Sequence, residues 1–242
     1  MNETPERHIL EFKDVSLTYH TKEGETLAVK DLGFYVREGE FMAVIGPSGC
    51  GKTTVLSLAA GLLKPSSGEI SVRGKPAGES AGKFGYMLQK DELFSWRNIE
   101  KNITLPLEIR KKNTAENREK ALSLAKKYGL GDFLRYYPDQ LSGGMRQRAA
   151  LIRTLAPDPE ILLLDEPFSA LDYQTRLSVC NDVYGIIRGE KKTALLVTHD
   201  ISEAISLADR ILVLSKRPAR AVAVHEIGFE SLSPLQRRES PQ

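Results

Sequence analysis

Gly46-Pro47-Ser48-Gly49-Cys50-Gly51-Lys52-Thr53 is the stretch that decides the fold of this 242-residue chain. It satisfies G-x-x-x-x-G-K-[ST] in the context that pattern needs. The continuous apolar run Phe41–Ile45 precedes it, and apolar residues recur at helical spacing through Lys52–Leu62 after it. A strand buried on both faces therefore runs into a glycine loop and then into a helix. The glycines let backbone N–H groups converge on phosphate oxygens, and the helix N-terminus adds its dipole. Lys52 brings positive charge to the outer phosphates, and Thr53 offers a hydroxyl to Mg²⁺. Gly46 to Gly51, with Lys52, Thr53 and Thr54, form the expected nucleotide-binding set, in which Pro47, Ser48 and Cys50 are loop positions and Cys50 has no chemical task. An ordinary tight turn would account for the glycines but not for the flanking strand and helix.

Further along, Ile161-Leu162-Leu163-Leu164-Asp165-Glu166-Pro167 sets two carboxylates at the end of a second buried strand, where α/β sheets carry their sites. Asp165 is expected to hold hydrated Mg²⁺ and Glu166 to orient and polarise an attacking water. Alternation of apolar and polar residues from His8 to Val36, around the turn-rich Thr21–Glu25, reads as antiparallel strands. Gly68–Arg73, Phe84–Leu88, Ala194–Val197, Arg210–Leu214 and Arg220–Glu226 supply further strands, and Tyr173–Arg188 a helix. Asp91–Arg110 shows no clean period. A helix within Lys111–Lys127 is expected, opened by a capping box of Asn113 and Glu116 and stopped at Gly129. Another runs from Ser142 as N-cap through Leu155, ending before Pro157 and Pro159.

The expected fold class is α/β: a P-loop NTPase core, an antiparallel β subdomain and an inserted helical subdomain in one domain spanning 1–242. Residues 1–89 and 158–230 make the core, 90–157 the helical subdomain with two helices, and 231–242 an irregular tail.

Apolar residues at 41%, charged residues at 27%, Gly 19 and Pro 12 exclude collagen-like, low-complexity and disordered chains. Lys+Arg 34 against Asp+Glu 32 leaves a net charge of +2, too balanced to argue for a nucleic-acid partner. Cys50 and Cys180 lie outside any C-x-x-C or Cys/His spacing, which indicates neither a disulfide framework nor zinc and fits a reducing, cytoplasmic setting. The longest apolar runs fall far short of the roughly 18 residues a membrane span needs. Met1–Arg7 lacks the layout of a secretory signal, so export is not expected.

A phosphate loop and an Asp-Glu pair leave many triphosphatases and kinases open; Leu141-Ser142-Gly143-Gly144-Met145-Arg146-Gln147-Arg148 narrows them. Together with Tyr19, the phosphate loop, Gln89 after a strand, Asp165-Glu166, Ser169-Ala170-Leu171-Asp172 and Thr198-His199-Asp200, all in this order, it makes the chain resemble the ATP-binding-cassette ATPases along most of its length. Met145 departs from the usual Gln. No Asn-Lys-x-Asp base-reading motif speaks for a GTPase.

The resemblance implies an ATPase whose site is shared between two copies of the chain, sandwiching two ATP molecules. It implies that Tyr19 stacks on adenine, although a core strand aromatic is the alternative reading of that position. It implies that Gln89 touches Mg²⁺ or the water, that His199 hydrogen-bonds the γ-phosphate, and that Ser142, Gly143 and Gly144 face the nucleotide of the second copy. Asp172 would couple the two sites. Leu93–Asn98, Gly143–Arg148 and Ala170–Arg176 are most similar to the nitrate/sulfonate/taurine-type importers, whose relatives also carry pyrimidine vitamin precursors, with Ser95 where many of them have Pro. That subfamily implies a peripheral subunit on the cytoplasmic face of the membrane, integral-membrane permease partners contacted near Phe94 and Trp96, and an extracytoplasmic solute-binding protein acting indirectly. A soluble cassette switch not coupled to transport is the alternative.

Overall fold

Successive residues of the two most deeply buried strands point into different cores. In β7 (Ile161–Asp165), Ile161 and Leu163 join one apolar cluster while Leu162 and Leu164 join another; in β8 (Thr193–Thr198), Leu195 and Val197 part in the same way from Ala194 and Leu196. A strand covered on both faces has no use for polar positions, which is why these stretches read as unbroken apolar runs. The computed structural model describes residues 8–22, 24–228 and 232–239, with side chains except at 81, 238 and 239.

The remaining strands are β1 (His8–Thr21), β2 (Gly24–Arg37), β3 (Phe41–Ile45), β4 (Ser67–Val72), β5 (Lys75–Pro76), β6 (Phe84–Met87), β9 (Arg210–Leu214) and β10 (Ala221–Glu226). They form a six-stranded sheet in the order β10-β9-β3-β8-β7-β6 and a four-stranded sheet in the order β2-β1-β4-β5. In the larger sheet β9, β3, β8, β7 and β6 are parallel and β10 is an antiparallel edge; the smaller sheet is antiparallel throughout. The hairpin β1–β2 packs with α1 (Lys52–Ala59) against the larger sheet, sharing one core that includes Phe12, Leu32, Val55, Leu56, Leu163 and Val197. The other face is covered by α4 (Gly143–Leu155) and α5 (Tyr173–Gly189) through Leu151, Leu155, Val183 and Ile187.

Three helices, not two, lie between residues 90 and 157: α2 (Ile99–Ile109), α3 (Ala115–Lys127) and α4. They close a small core of their own around Ile99, Ile103, Leu107, Ala125, Leu130 and Ile152. The first of them was illegible because Asn102 and Thr104 are buried polar residues on its apolar side and Pro106 sits inside it. Asn102 is satisfied by donating to the carbonyls of Phe94, Arg97 and Asn98 while accepting from the Phe94 N–H. The cap of α3 is Thr114, which accepts from the Asn117 N–H, not Asn113 as expected; the signal was displaced by one residue. Ser142 caps α4 as expected, accepting from the Met145 N–H at 3.3 Å.

Two short helices were not anticipated. Ile201–Leu207 (α6), capped by Asp200, packs on β3 and β8. Pro234–Glu239 (α7) lies within the tail expected to be irregular. It is held by Arg237, whose buried guanidinium donates to the carbonyls of Ser206, Ala208 and Leu232 and to the Tyr184 hydroxyl. Residues 231 and 240–242 of that tail lie outside the described residues, as does Met1–Arg7. No helix among the described residues is long and apolar enough to cross a membrane.

Candidate functional site

The loop between β3 and α1 wraps around its own lysine. Lys52, only 6% exposed, donates from Nζ to the carbonyls of Gly46 at 3.0 Å and Pro47 at 3.2 Å. Its ammonium thus sits desolvated in the mouth of the loop. Two glycines there have no substitute. Gly51, the N-cap of α1, has φ +118°, a backbone that side chains rarely adopt. A Cβ on Gly46 would lie 2.9 Å from Cys50 Sγ and 3.1 Å from Leu214 Cβ. Cys50 is buried beneath the loop.

The C-terminal ends of β7 and β8 bring the acidic groups to this loop. Asp165 accepts from the Thr53 hydroxyl at 3.1 Å on Oδ1 and from the Tyr86 hydroxyl at 3.3 Å on Oδ2. Burial lifts the Asp165 carboxyl above its ordinary range, against these two hydrogen bonds, which lower it. Burial likewise raises the Tyr86 phenol, reinforced by the negative charge of Asp165, so Tyr86 stays a donor.

Glu166 is held in the left-handed region at φ +45°, uncommon for a residue with a side chain, while its N–H donates to the Val197 carbonyl. That backbone aims its carboxylate back over the phosphate loop. Oε1 lies 4.0 Å from Lys52 Nζ and Oε2 lies 3.0 Å from His199 Nδ1. Because an ionised carboxylate only accepts, the shared proton belongs to His199 Nδ1. Gln89 reaches the same cluster through Ser169: its amide donates to the Ser169 hydroxyl, which donates to the Glu166 carbonyl. In the first turn of α1, next to Thr53, the Tyr19 hydroxyl shares a hydrogen bond of 3.2 Å with Thr54, and the tyrosine is 38% exposed, not a core aromatic.

The structure therefore brings together Lys52, Thr53, Gln89, Asp165, Glu166 and His199, with Tyr19 and Thr54 at the margin. It places Ser142, Gly143, Gly144 and Asp172 apart from them. Gly143 and Gly144 lie against Leu171, Thr175 and Val179, and Asp172 caps α5, so these residues form their own patch where α4 meets α5. No hydrogen bond or ion pair among the described residues links that patch to the phosphate loop. Tyr86, Ser169 and Arg217 were not expected at the site. Ser169 stands within a motif stretch, whereas Tyr86 and Arg217 carry no sequence signal that separates them from an ordinary strand aromatic and a loop cation.

The ABC transporter family pattern matches residues 29–169, more than half of the chain. The chain belongs to the ABC transporter family, as one of its ATP-binding ATPase subunits. Among curated relatives, an ABC transporter ATP-binding protein of Bacillus subtilis is 47% identical over 94% of this chain and 88% of its own length. A taurine import ATP-binding protein of Pelagibacter ubique is 38% identical over 91% of this chain and 83% of its own. A solved dimer of an ATP-binding cassette with ADP and Pi superposes with a TM-score of 0.76 at 32% identity, covering 91% of this chain and 100% of that one. A cassette from Clostridium perfringens, part of the cbiONQ transporter complex, gives 0.80 at 25% identity, covering 91% and 89%. The α/β architecture described above is thus the ABC cassette fold.

Proposed function

We propose that this cassette hydrolyses ATP as a homodimer and energises uptake of a small solute of the nitrate, sulfonate, taurine or pyrimidine-precursor kind through separate permease subunits. The observation that carries the hydrolytic part is the convergence of Lys52, Asp165, Glu166 and His199 on one loop. ATP enters as substrate. Its phosphates meet the loop N–H groups, the N-terminus of α1 and the desolvated Lys52 ammonium, which exchanges two carbonyl partners for anionic oxygens. Tyr19, half-exposed beside the loop, is the face offered to adenine.

The donor set fits Mg²⁺. Thr53 and Asp165 present hard oxygens to each other across 3.1 Å, and no cluster of three or more His, Cys, Asp or Glu among the described residues offers a fuller cage. Sparse protein ligation of that kind suits an ion that keeps waters and phosphate oxygens. Thr53, Asp165 and Gln89 are the residues that would hold it, and when bound it neutralises charge developing on the phosphates. Glu166 orients a water and accepts its proton. His199, bonded here to Glu166 through Nδ1, is also the donor offered to a γ-phosphate. Its shift to the phosphate would free the Glu166 carboxylate for the water.

Ser142–Gly144 and Asp172 are assigned to the second copy's nucleotide, because they sit away from the phosphate loop of their own chain yet open a helix with a hydroxyl and free N–H groups. ATP then acts as a ligand of the closed dimer, and hydrolysis reopens it. The importer reading is supported by the taurine import relatives at 38% and 40% identity and by the stacked pair Phe94–Trp96, with centroids 4.7 Å apart and Trp96 72% exposed. A large ring turned to solvent, seven residues after Gln89, suits a permease contact; a peripheral position at the cytoplasmic face and a solute-binding protein outside, acting indirectly, belong to the same importer reading. Purification of the tagged chain from solubilised host membranes, with mass spectrometry of its partners, tests this. Co-purification of a polytopic permease is expected; only soluble partners in a sample active as an ATPase would contradict the importer role.

A further inference from the structure

The turn from β9 to β10 is built against the phosphate loop. Leu214, the last residue of β9, backs Gly46, and Ala219 backs Gly51. Ala219 also exchanges backbone hydrogen bonds with β2, its N–H donating to the Ala28 carbonyl and its carbonyl accepting from the Lys30 N–H. The turn is thereby fixed to both sheets, and Ser215 closes it on itself through the Pro218 carbonyl and the Arg220 N–H. From this anchored turn the Arg217 guanidinium donates to the Gly49 carbonyl at 2.9 Å, in the middle of the phosphate loop.

The peptide joining Gly49 to Cys50 is planar and trans, so its carbonyl and its N–H point in opposite directions. Arg217 holds the carbonyl end from outside, and the Cys50 N–H at the other end donates to the Pro47 carbonyl at 3.2 Å. One peptide plane at the tip of the loop is thus clamped at both ends, and its orientation decides where the loop N–H groups aim. The geometry points to Arg217 as a positioning residue for ATP: it fixes the loop tip in the phosphate-receiving shape before nucleotide arrives, and it does so from a turn that belongs to neither flanking element of the loop. The inference rests on the phosphate-loop reading given under Proposed function. Preorganisation of this kind acts on every nucleotide whose phosphates enter the loop, so ATP and ADP are affected alike.

The test is calorimetric binding of ATP and of ADP to the full chain, beside steady-state hydrolysis, for wild type, Arg217→Ala, Arg217→Lys and Lys52→Ala. Arg217→Ala is expected to weaken both nucleotides about 5- to 10-fold and to raise KM by a similar factor, with kcat within about twofold. Arg217→Lys, which keeps a cationic donor, is expected to recover most of the loss, and melting temperatures are expected to match wild type because the side chain is exposed. Unchanged affinities in Arg217→Ala, alongside lost binding in Lys52→Ala, would overturn the positioning role while leaving the phosphate-loop reading intact. Loss of ATP binding with ADP affinity retained would overturn it in favour of direct contact with the terminal phosphate. A wild-type chain that bound neither nucleotide would overturn the phosphate-loop reading and this inference with it.

Discussion

Glu166 and His199 are joined at 3.0 Å between Oε2 and Nδ1, although 33 residues separate them in the chain. The contact exists because β7 and β8 are parallel neighbours in register, Asp165 facing Val197, so both chains leave the sheet at the same edge. His199→Ala removes the proton that holds Glu166 and the proposed γ-phosphate donor together. Hydrolysis is expected to fall about 10²-fold or more while ATP affinity changes little. Single-turnover kinetics beside equilibrium binding separates the two effects.

The Mg²⁺-holding role proposed for Asp165 comes at a cost to folding. Its carboxyl is raised by burial, so the charged form is less favourable in the folded chain than in the unfolded one. The stability lost to that charge is absent below the unfolded pKa and is fully felt above the raised folded value. Asp165→Asn, which keeps an acceptor for Thr53, is expected to melt at a higher temperature than wild type near pH 7 to 8, the difference shrinking as pH falls through the carboxylate range, while Mg²⁺-dependent hydrolysis is lost. Thermal denaturation at several pH values checks the sign.

Much of this was legible. The loop from Gly46 to Thr53, the buried strands that end at Asp165 and just before His199, and the Ser142 cap all follow from local residue chemistry. What sequence hid has physical causes. In α2 the side chain of Asn102 satisfies three backbone carbonyls, a tertiary arrangement that inverts the polar-outside rule on which periodicity depends. In α7 the docking runs through Arg237, which reaches the carbonyls of Ser206 and Ala208 and the Tyr184 hydroxyl by three hydrogen bonds and offers no apolar stripe to read. At the site, the links through Tyr86, Ser169 and Arg217 depend on sheet register and on a turn distant in sequence.

Ser142 separates a cap from an intermolecular contact. Ser142→Ala is expected to destabilise the chain by about 1 kcal/mol through loss of the α4 cap. Ser142→Asp restores a capping oxygen but adds a negative charge where the partner's ATP would lie. It is expected to melt like wild type and to fail in ATP-dependent dimerisation. Denaturant titration and sedimentation with and without ATP provide both readings.

Trp96 stacks on Phe94 at the surface and contributes little to the core. Trp96→Ala is expected to cost less than about 1 kcal/mol and to leave the isolated chain's ATPase rate unchanged, yet to reduce recovery of the permease on purification from membranes. Equal recovery would remove this surface from the account.

The central claim is that Glu166 activates water within a site completed by a second copy. It is tested most directly by measuring mass in solution and bound nucleotide for Glu166→Gln in the presence of ATP and Mg²⁺, beside its turnover. The account predicts a stable dimer holding two ATP molecules, with turnover reduced about 10²-fold or more. A monomer with ATP bound, or a variant hydrolysing at the wild-type rate, would contradict it.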